Sequence, residues 1–174
     1  MPRGSQEGGS RSSIDEIVVS NSSVIIALAR ACRLDLLERL FSEVLVPEAV
    51  WNEISIEGKP RSEKIAKAGF IRVKKARNRR LVSLLEDFVD EGEAEAIALA
   101  MEVGADLLLL DDRDARRLAR RLDIQVMGTL GVLALAKYRG IILEVKPLVE
   151  RLTEKGFWIS EGIIEDFLRE LGES

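Results

Sequence analysis

The sequence contains no histidine and a single cysteine, Cys32. These absences exclude a disulfide framework, a Cys-X-X-Cys zinc site, a Ser-His-Asp triad and any histidine general base. Aromatic residues make up only 5% of the chain, and no stretch approaches the roughly 20 apolar residues that span a bilayer. Any chemistry must therefore use carboxylates, hydroxyls, lysines or arginines, and we expect a cytoplasmic protein without a membrane segment or secretory signal.

The overall composition is that of one ordinary folded domain. Lys and Arg number 26 against 30 Asp and Glu, a formal charge of −4, and 47% of the 174 residues are hydrophobic. Disorder throughout is thereby excluded, and any nucleic acid must bind through local basic patches. Residues 1–13 are rich in Gly, Ser and charge without periodicity, which predicts a disordered tail before a single domain over residues 14–174.

Short apolar runs alternate with stretches of helical spacing along the rest of the chain. The predicted strands cover residues 16–20, 44–46, 70–73, 106–110 and 124–127. The fourth of these, DLLLL, is typical of a central strand that is buried on both faces. This alternation predicts an α/β fold, with helices on both sides of a mostly parallel central sheet.

Polar residues follow two of the predicted strands. The first strand leads into Asn21 and Ser22, and the 106–110 strand stops at Asp111 and Asp112. In an open parallel sheet, ligands bind beyond the carboxyl ends of strands. Helix capping is the alternative interpretation for Asn21, Ser22 and one of the aspartates. Two adjacent carboxylates repel each other unless a cation or an arginine lies between them, so we favour a site role for Asp111 and Asp112.

Three glutamates on predicted helices are further candidates. Glu93 and Glu95 begin an Ala-rich helix over residues 93–103, after a predicted turn at 90–92. Acids in a first turn also complement the helix dipole, which is the alternative interpretation. Two residues on a helix differ by about 200° of rotation, so only one of the pair faces a site, and we favour Glu93. Glu53 is either a solvated charge or a further carboxylate that reaches the sheet edge.

The candidate ligands are all oxygens, and a basic helix face begins beside them. Oxygen ligands without histidine or cysteine suit Mg²⁺ or Mn²⁺, ions that support phosphodiester cleavage in nucleases and phosphatases. The basic face consists of Arg113, Arg116, Arg117, Arg120 and Arg121. Such a face is either a solvated helix surface or a surface for the nucleic-acid backbone, and six basic residues within 72–80 form a second candidate patch.

Four segments carry a resemblance to a known family. They are IVVSNSSVIIALARACRLDLLERLF, VLVPEAVWNEI, GEAEAIALAMEVGADLLLLDDRDARRLA and MGTLGVLALAKYRG. In this order they resemble a PIN-domain protein of the DUF3368 branch, over residues 17–167. The resemblance implies a Rossmann-like three-layer α/β/α sandwich and a metal-dependent ribonuclease. Many relatives are toxin halves of type II toxin–antitoxin pairs and form homodimers.

The resemblance also implies roles for individual residues. The implied ligands of a Mg²⁺ or Mn²⁺ cofactor are Asn21, Glu53, Glu93, Glu95, Asp111 and Asp112. The implied catalytic residues among them are Glu53, Glu93 and Asp112. The residues implied to hold RNA are Ser22, Arg113, Arg116 and Arg117. The bound metal would activate water for in-line attack on an RNA phosphodiester.

Asn21 departs from the family pattern, in which an acid follows the first strand. An asparagine oxygen ligates a hard cation but supplies no negative charge. Two functions therefore stay open: a ribonuclease, as the toxin component with an antitoxin partner, or a non-catalytic PIN-fold module that binds RNA or protein. A phosphoacceptor receiver domain is a weaker alternative, because the only lysine near the required place, Lys137, lies within a predicted helix.

Overall fold

The computed structural model describes residues 16–56, 58–59 and 61–174, so the predicted tail at 1–13 lies outside the described residues. Within them, five strands form one sheet in which all pairs are parallel, in the order β3-β2-β1-β4-β5. The strands are β1 (Val18–Ser20), β2 (Val44–Val46), β3 (Ile71–Val73), β4 (Leu107–Leu109) and β5 (Val126–Met127). The predicted α/β fold with a parallel central sheet is confirmed.

Ten helices connect and follow these strands in the described part of the chain. They are α1 (Ser22–Arg30), α2 (Asp35–Phe41), α3 (Glu48–Ile54), α4 (Ser62–Ala66), α5 (Arg79–Leu85), α6 (Glu91–Val103), α7 (Arg113–Arg121), α8 (Thr129–Tyr138), α9 (Lys146–Glu154) and α10 (Glu161–Glu170).

The sheet is covered on both faces by apolar side chains. Val18 and Leu109 join a cluster that includes α1, α2, α8 and α9, whereas Val19 and Leu108 join a second cluster with α5, α6 and α7. This alternation follows from the period of two in a strand. The β4 residues Leu108 and Leu109 are fully buried, as predicted for a central strand. The molecule is therefore a three-layer sandwich.

The strand order reverses between β1 and β4. The chain runs outward from β1 to β2 and β3, and then crosses back to place β4 on the other side of β1. The Asn21 N–H donates to the Leu109 carbonyl at 2.9 Å, which holds the carboxyl ends of these two strands side by side. Ligands of open parallel sheets bind in the crevice at such a reversal. The fold therefore positions Asn21 and the residues after β4 at one edge.

The predicted turn at residues 90–92 is wrong, because α6 begins at Glu91. Asp90 is the N-cap residue: its Oδ1 accepts from the Glu93 N–H at 2.8 Å, and Glu93 Oε2 accepts from the Asp90 N–H at 3.1 Å. This reciprocal capping box satisfies two N–H groups that a helix start leaves unpaired. Gly92 therefore lies in the first helical turn, close to the sheet edge.

Candidate active site

Asn21 lies directly after β1 at the N-cap position of α1. Its backbone is paired, since the N–H donates to Leu109 and the carbonyl accepts from Ser20 Oγ at 2.8 Å. The residue is only 6% exposed, yet its side chain neither caps α1 nor hydrogen-bonds to any other described residue. The capping interpretation is therefore wrong for Asn21, and its amide is available to a ligand.

A small space beside Gly92 brings three side-chain oxygens together. A methyl group added to Gly92 would lie 3.5 Å from Asn21 Oδ1, 3.5 Å from Glu53 Oε2 and 3.7 Å from Asp90 Oδ1. These oxygens come from three elements: the end of β1, α3 and the N-cap of α6. We call this space the Gly92 cradle. Because glycine has no side chain, this point is unoccupied, and a methyl group placed there would make ordinary van der Waals contacts with the three oxygens.

The Glu93 carboxyl lies beside the cradle in a strongly negative environment. Burial, as the largest cause, and the charges of Asp90, Asp112 and Glu53, in that order, together raise the pKa of Glu93 to about 7. The hydrogen bond from the Asp90 N–H opposes this rise. The repulsion between these carboxylates disfavours ionisation of Glu93, and a cation that binds among them lowers that repulsion. The electrostatics therefore favour a bound cation.

The two aspartates after β4 have different surroundings. Asp112 is exposed and is the N-cap of α7, with Oδ1 accepting from the Ala115 N–H at 2.8 Å. The Asp111 carboxylate instead accepts two bonds from Thr129 at the start of α8, from N–H to Oδ1 and from Oγ1 to Oδ2, both at 2.7 Å. The charge of Asp112 thus helps to raise the pKa of Glu93, whereas Asp111 anchors the start of α8.

Glu95 lies on a different side of α6 from Glu93. Its side chain is 4% exposed and pairs with Arg79 of α5, with 3.2 Å between Arg79 Nη1 and Glu95 Oε1. The structure thus groups Asn21, Glu53, Glu93 and Asp112, whereas Glu95 and Asp111 have partners in α5 and α8. In the described ranges, no three Cys, Asp or Glu side chains are arranged so that they hold a metal by themselves.

Four arginines of α7 form an exposed basic surface that begins one residue after Asp112. This α7 surface lines a shallow cavity of about 460 Å³ and consists of Arg113, Arg117, Arg120 and Arg121. None of the four pairs with an acid among the described residues. Because their charges are unneutralised, they suit a polyanion.

Arg116 and the 72–80 segment differ from the α7 surface. Arg116 is half-buried, its Nη1 lies against Gly128, and its Nε is buried without a hydrogen-bond partner. In the 72–80 segment, Arg72 pairs with Glu43 at 3.2 Å and Arg79 pairs with Glu95. The second patch is thus partly neutralised. Ser22 is 6% exposed in the first turn of α1, and its RNA contact stays a prediction.

Sequence reasoning missed Asp90 and Gly92 as members of the site. The available signal was the Asp-X-X-Glu spacing of Asp90 and Glu93, which is a capping-box pattern and places the helix start before Gly92. A cavity of about 1030 Å³ lies elsewhere, between Glu16, which precedes β1, and Glu102 near the end of α6. Lys74 and Arg77 of the 72–80 patch line it, but none of the candidate metal ligands does, so size alone does not locate the site.

Comparison with known proteins identifies one family. The sequence model of DUF3368, described as a PIN domain, matches residues 17–173, which include all the strands and helices given above. Neither the curated proteins nor the solved structures contained a match to the chain. No helix in the described ranges is long and apolar enough to cross a membrane.

Proposed function

Because the chain belongs to the DUF3368 family of PIN domains, whose members are in general nucleases, we propose that it is a metal-dependent endoribonuclease. The observation that carries the proposal is the convergence of an unpartnered Asn21 amide with the Glu53 carboxylate at the Gly92 cradle. Glu93 and Asp112 border the same edge of the sheet. We assign RNA as the substrate from the family resemblance and from the exposed α7 surface.

The donor set fits a hard divalent cation. The cradle presents an amide oxygen and carboxylate oxygens, and Mg²⁺ and Mn²⁺ prefer such ligands. Glu53, Glu93 and Asp112 would hold the ion with Asn21. When bound, the ion supplies an activated water and stabilises negative charge on the phosphate.

Protein groups on either side of the cradle orient the reacting parts. Asp112 is fixed by the hydrogen bond that its Oδ1 accepts from the Ala115 N–H, and its Oδ2 accepts no hydrogen bond from the described residues. Asp111 and Thr129 hold the start of α8 against the end of β4. Arg113 and Arg117 provide guanidinium groups for phosphates that flank the scissile bond.

The cellular role is proposed from the resemblance alone. A toxin component of a type II pair would have a protein antitoxin as its partner and would form a homodimer, and both stay predictions. The neutral side chain of Asn21 favours the second candidate, a non-catalytic module that binds RNA or protein. Growth arrest on expression of the native chain, relieved by Glu53→Gln, is the result expected for a toxin.

Calorimetric titration with Mn²⁺ and incubation with single-stranded RNA test the enzymatic proposal. Glu53→Gln removes one charge from the cradle, and Glu48→Gln is the matched control because Glu48 is exposed in the first turn of the same helix. We expect saturable binding and RNA cleavage in the native chain and in Glu48→Gln, and loss of both in Glu53→Gln. Absence of Mn²⁺ binding by the native chain would overturn the proposal.

A further inference from the structure

We infer that Asp90 supplies the negative charge that Asn21 does not, and is an additional ligand of the divalent cation. This inference rests on the proposed function, since it concerns the same site. The fold places Asp90 next to the position of the missing acid, although 69 residues separate the two in sequence. The neutral Asn21 therefore need not disable the site.

The first support is the shared geometry of the cradle. Asn21 Oδ1 and Asp90 Oδ1 lie 3.5 and 3.7 Å from the same point, on which Glu53 Oε2 also converges at 3.5 Å. At this distance, the Asp90 carboxylate would attract an ion at the cradle almost as strongly as an acid at position 21 would. Two carboxylates and one amide therefore border the cradle.

The second support is the buried amide of Asn21 itself. More than nine-tenths of this residue is buried, its side chain has no hydrogen-bond partner in the described chain, and its oxygen is directed toward the cradle. The amide retains contact with solvent, since the fully buried side-chain atoms without a partner in the described chain belong to Ser23, Arg30 and Arg116, and a ligand can replace that solvent. This observation is independent of the acids and points to a ligand at the same place.

Asp90 has the capacity to serve both α6 and a cation. Its Oδ1 accepts one hydrogen bond, from the Glu93 N–H, and an ionised carboxylate has about four acceptor positions. The capping box fixes the direction of the carboxylate, and the residue is exposed at the mouth of the cradle. Asparagine caps helices about as well as aspartate, so α6 needs the acceptor oxygen but not the charge.

A charge exchange between positions 90 and 21 tests the inference. Electron paramagnetic resonance of free Mn²⁺ measures the metal affinity of four proteins without reference to catalysis: the native chain, Asp90→Asn, the double variant Asn21→Asp/Asp90→Asn, and Asp87→Asn. Asp87 is an exposed acid three residues before Asp90 and serves as the matched control. Thermal melts verify that Asp90→Asn keeps the capped helix.

We expect Asp90→Asn to weaken Mn²⁺ binding at least about tenfold, because it removes a full charge close to the ion. The double variant restores the affinity to within about threefold of native, and Asp87→Asn leaves it unchanged. Equal affinity of native and Asp90→Asn would overturn the role of Asp90 while leaving the metal site intact. A native chain that binds no Mn²⁺ would overturn both this inference and the proposed function.

Discussion

Without divalent cations, the stability of the protein should fall as the pH rises from about pH 5 to about pH 8. The folded state raises the pKa of Glu93 to about 7 from an ordinary 4.5, so folding favours the protonated carboxyl. The stabilisation is complete below the unfolded pKa and is lost as the pH rises through the folded pKa. One pKa unit corresponds to about 1.4 kcal/mol of unfolding free energy. Because water near the exposed neighbouring carboxylates screens part of the interaction, we expect a total loss of about 2 kcal/mol.

Urea denaturation in EDTA at both pH values measures this loss, with Glu93→Gln as the comparison. A glutamine accepts the hydrogen bond from the Asp90 N–H as the glutamate does, so the capping box is preserved while the titrating group is removed. The variant should lack most of the pH dependence between these values. An equal loss of stability in Glu93→Gln and the native chain would refute the reasoning.

Three further substitutions separate the roles of the residues around the site. Gly92→Ala should raise the melting temperature, since alanine favours a helix by about 0.5–1 kcal/mol, yet it should weaken Mn²⁺ binding because the methyl group fills the cradle. A Gly92→Ala protein that binds Mn²⁺ normally would contradict the location of the site. Thr129→Val removes the hydroxyl donor to Asp111 and should cost about 1.5–3 kcal/mol in urea melts. Arg117→Gln should leave stability unchanged and reduce the salt dependence of RNA binding by about one counterion, as measured by fluorescence anisotropy.

The fold follows closely from the sequence because its signals are local and strong. Continuous apolar runs such as Leu107–Leu109 are stable only with both faces covered, and their alternation with helical patterns leaves few topologies other than a parallel sheet. The edge that carries Asn21, Asp111 and Asp112 could be predicted for the same reason. The positions of strand ends can be predicted from the sequence without knowledge of side-chain contacts.

The detailed membership of the site could not be predicted in the same way. Asp111 and Asp112 are adjacent in sequence, but the choice between anchoring α8 and facing the carboxylates depends on the position of Thr129 in the fold. The Ala-rich pattern begins only after Gly92, so the sequence around residues 90–92 is typical of a turn and does not indicate a site role for Asp90. The placement of one element beside another, such as Gly92 of α6 beside Asn21, is set by packing and leaves no local pattern.

The chemistry of the RNA ends tests the central claim most directly. The native chain is incubated with end-labelled single-stranded RNA in Mn²⁺ or in EDTA, and the phosphate groups of the products are identified by mass spectrometry. Attack by an activated water predicts Mn²⁺-dependent products with open phosphate monoesters and hydroxyl ends. Products ending in a 2′,3′-cyclic phosphate, or equal cleavage in EDTA, would contradict the account.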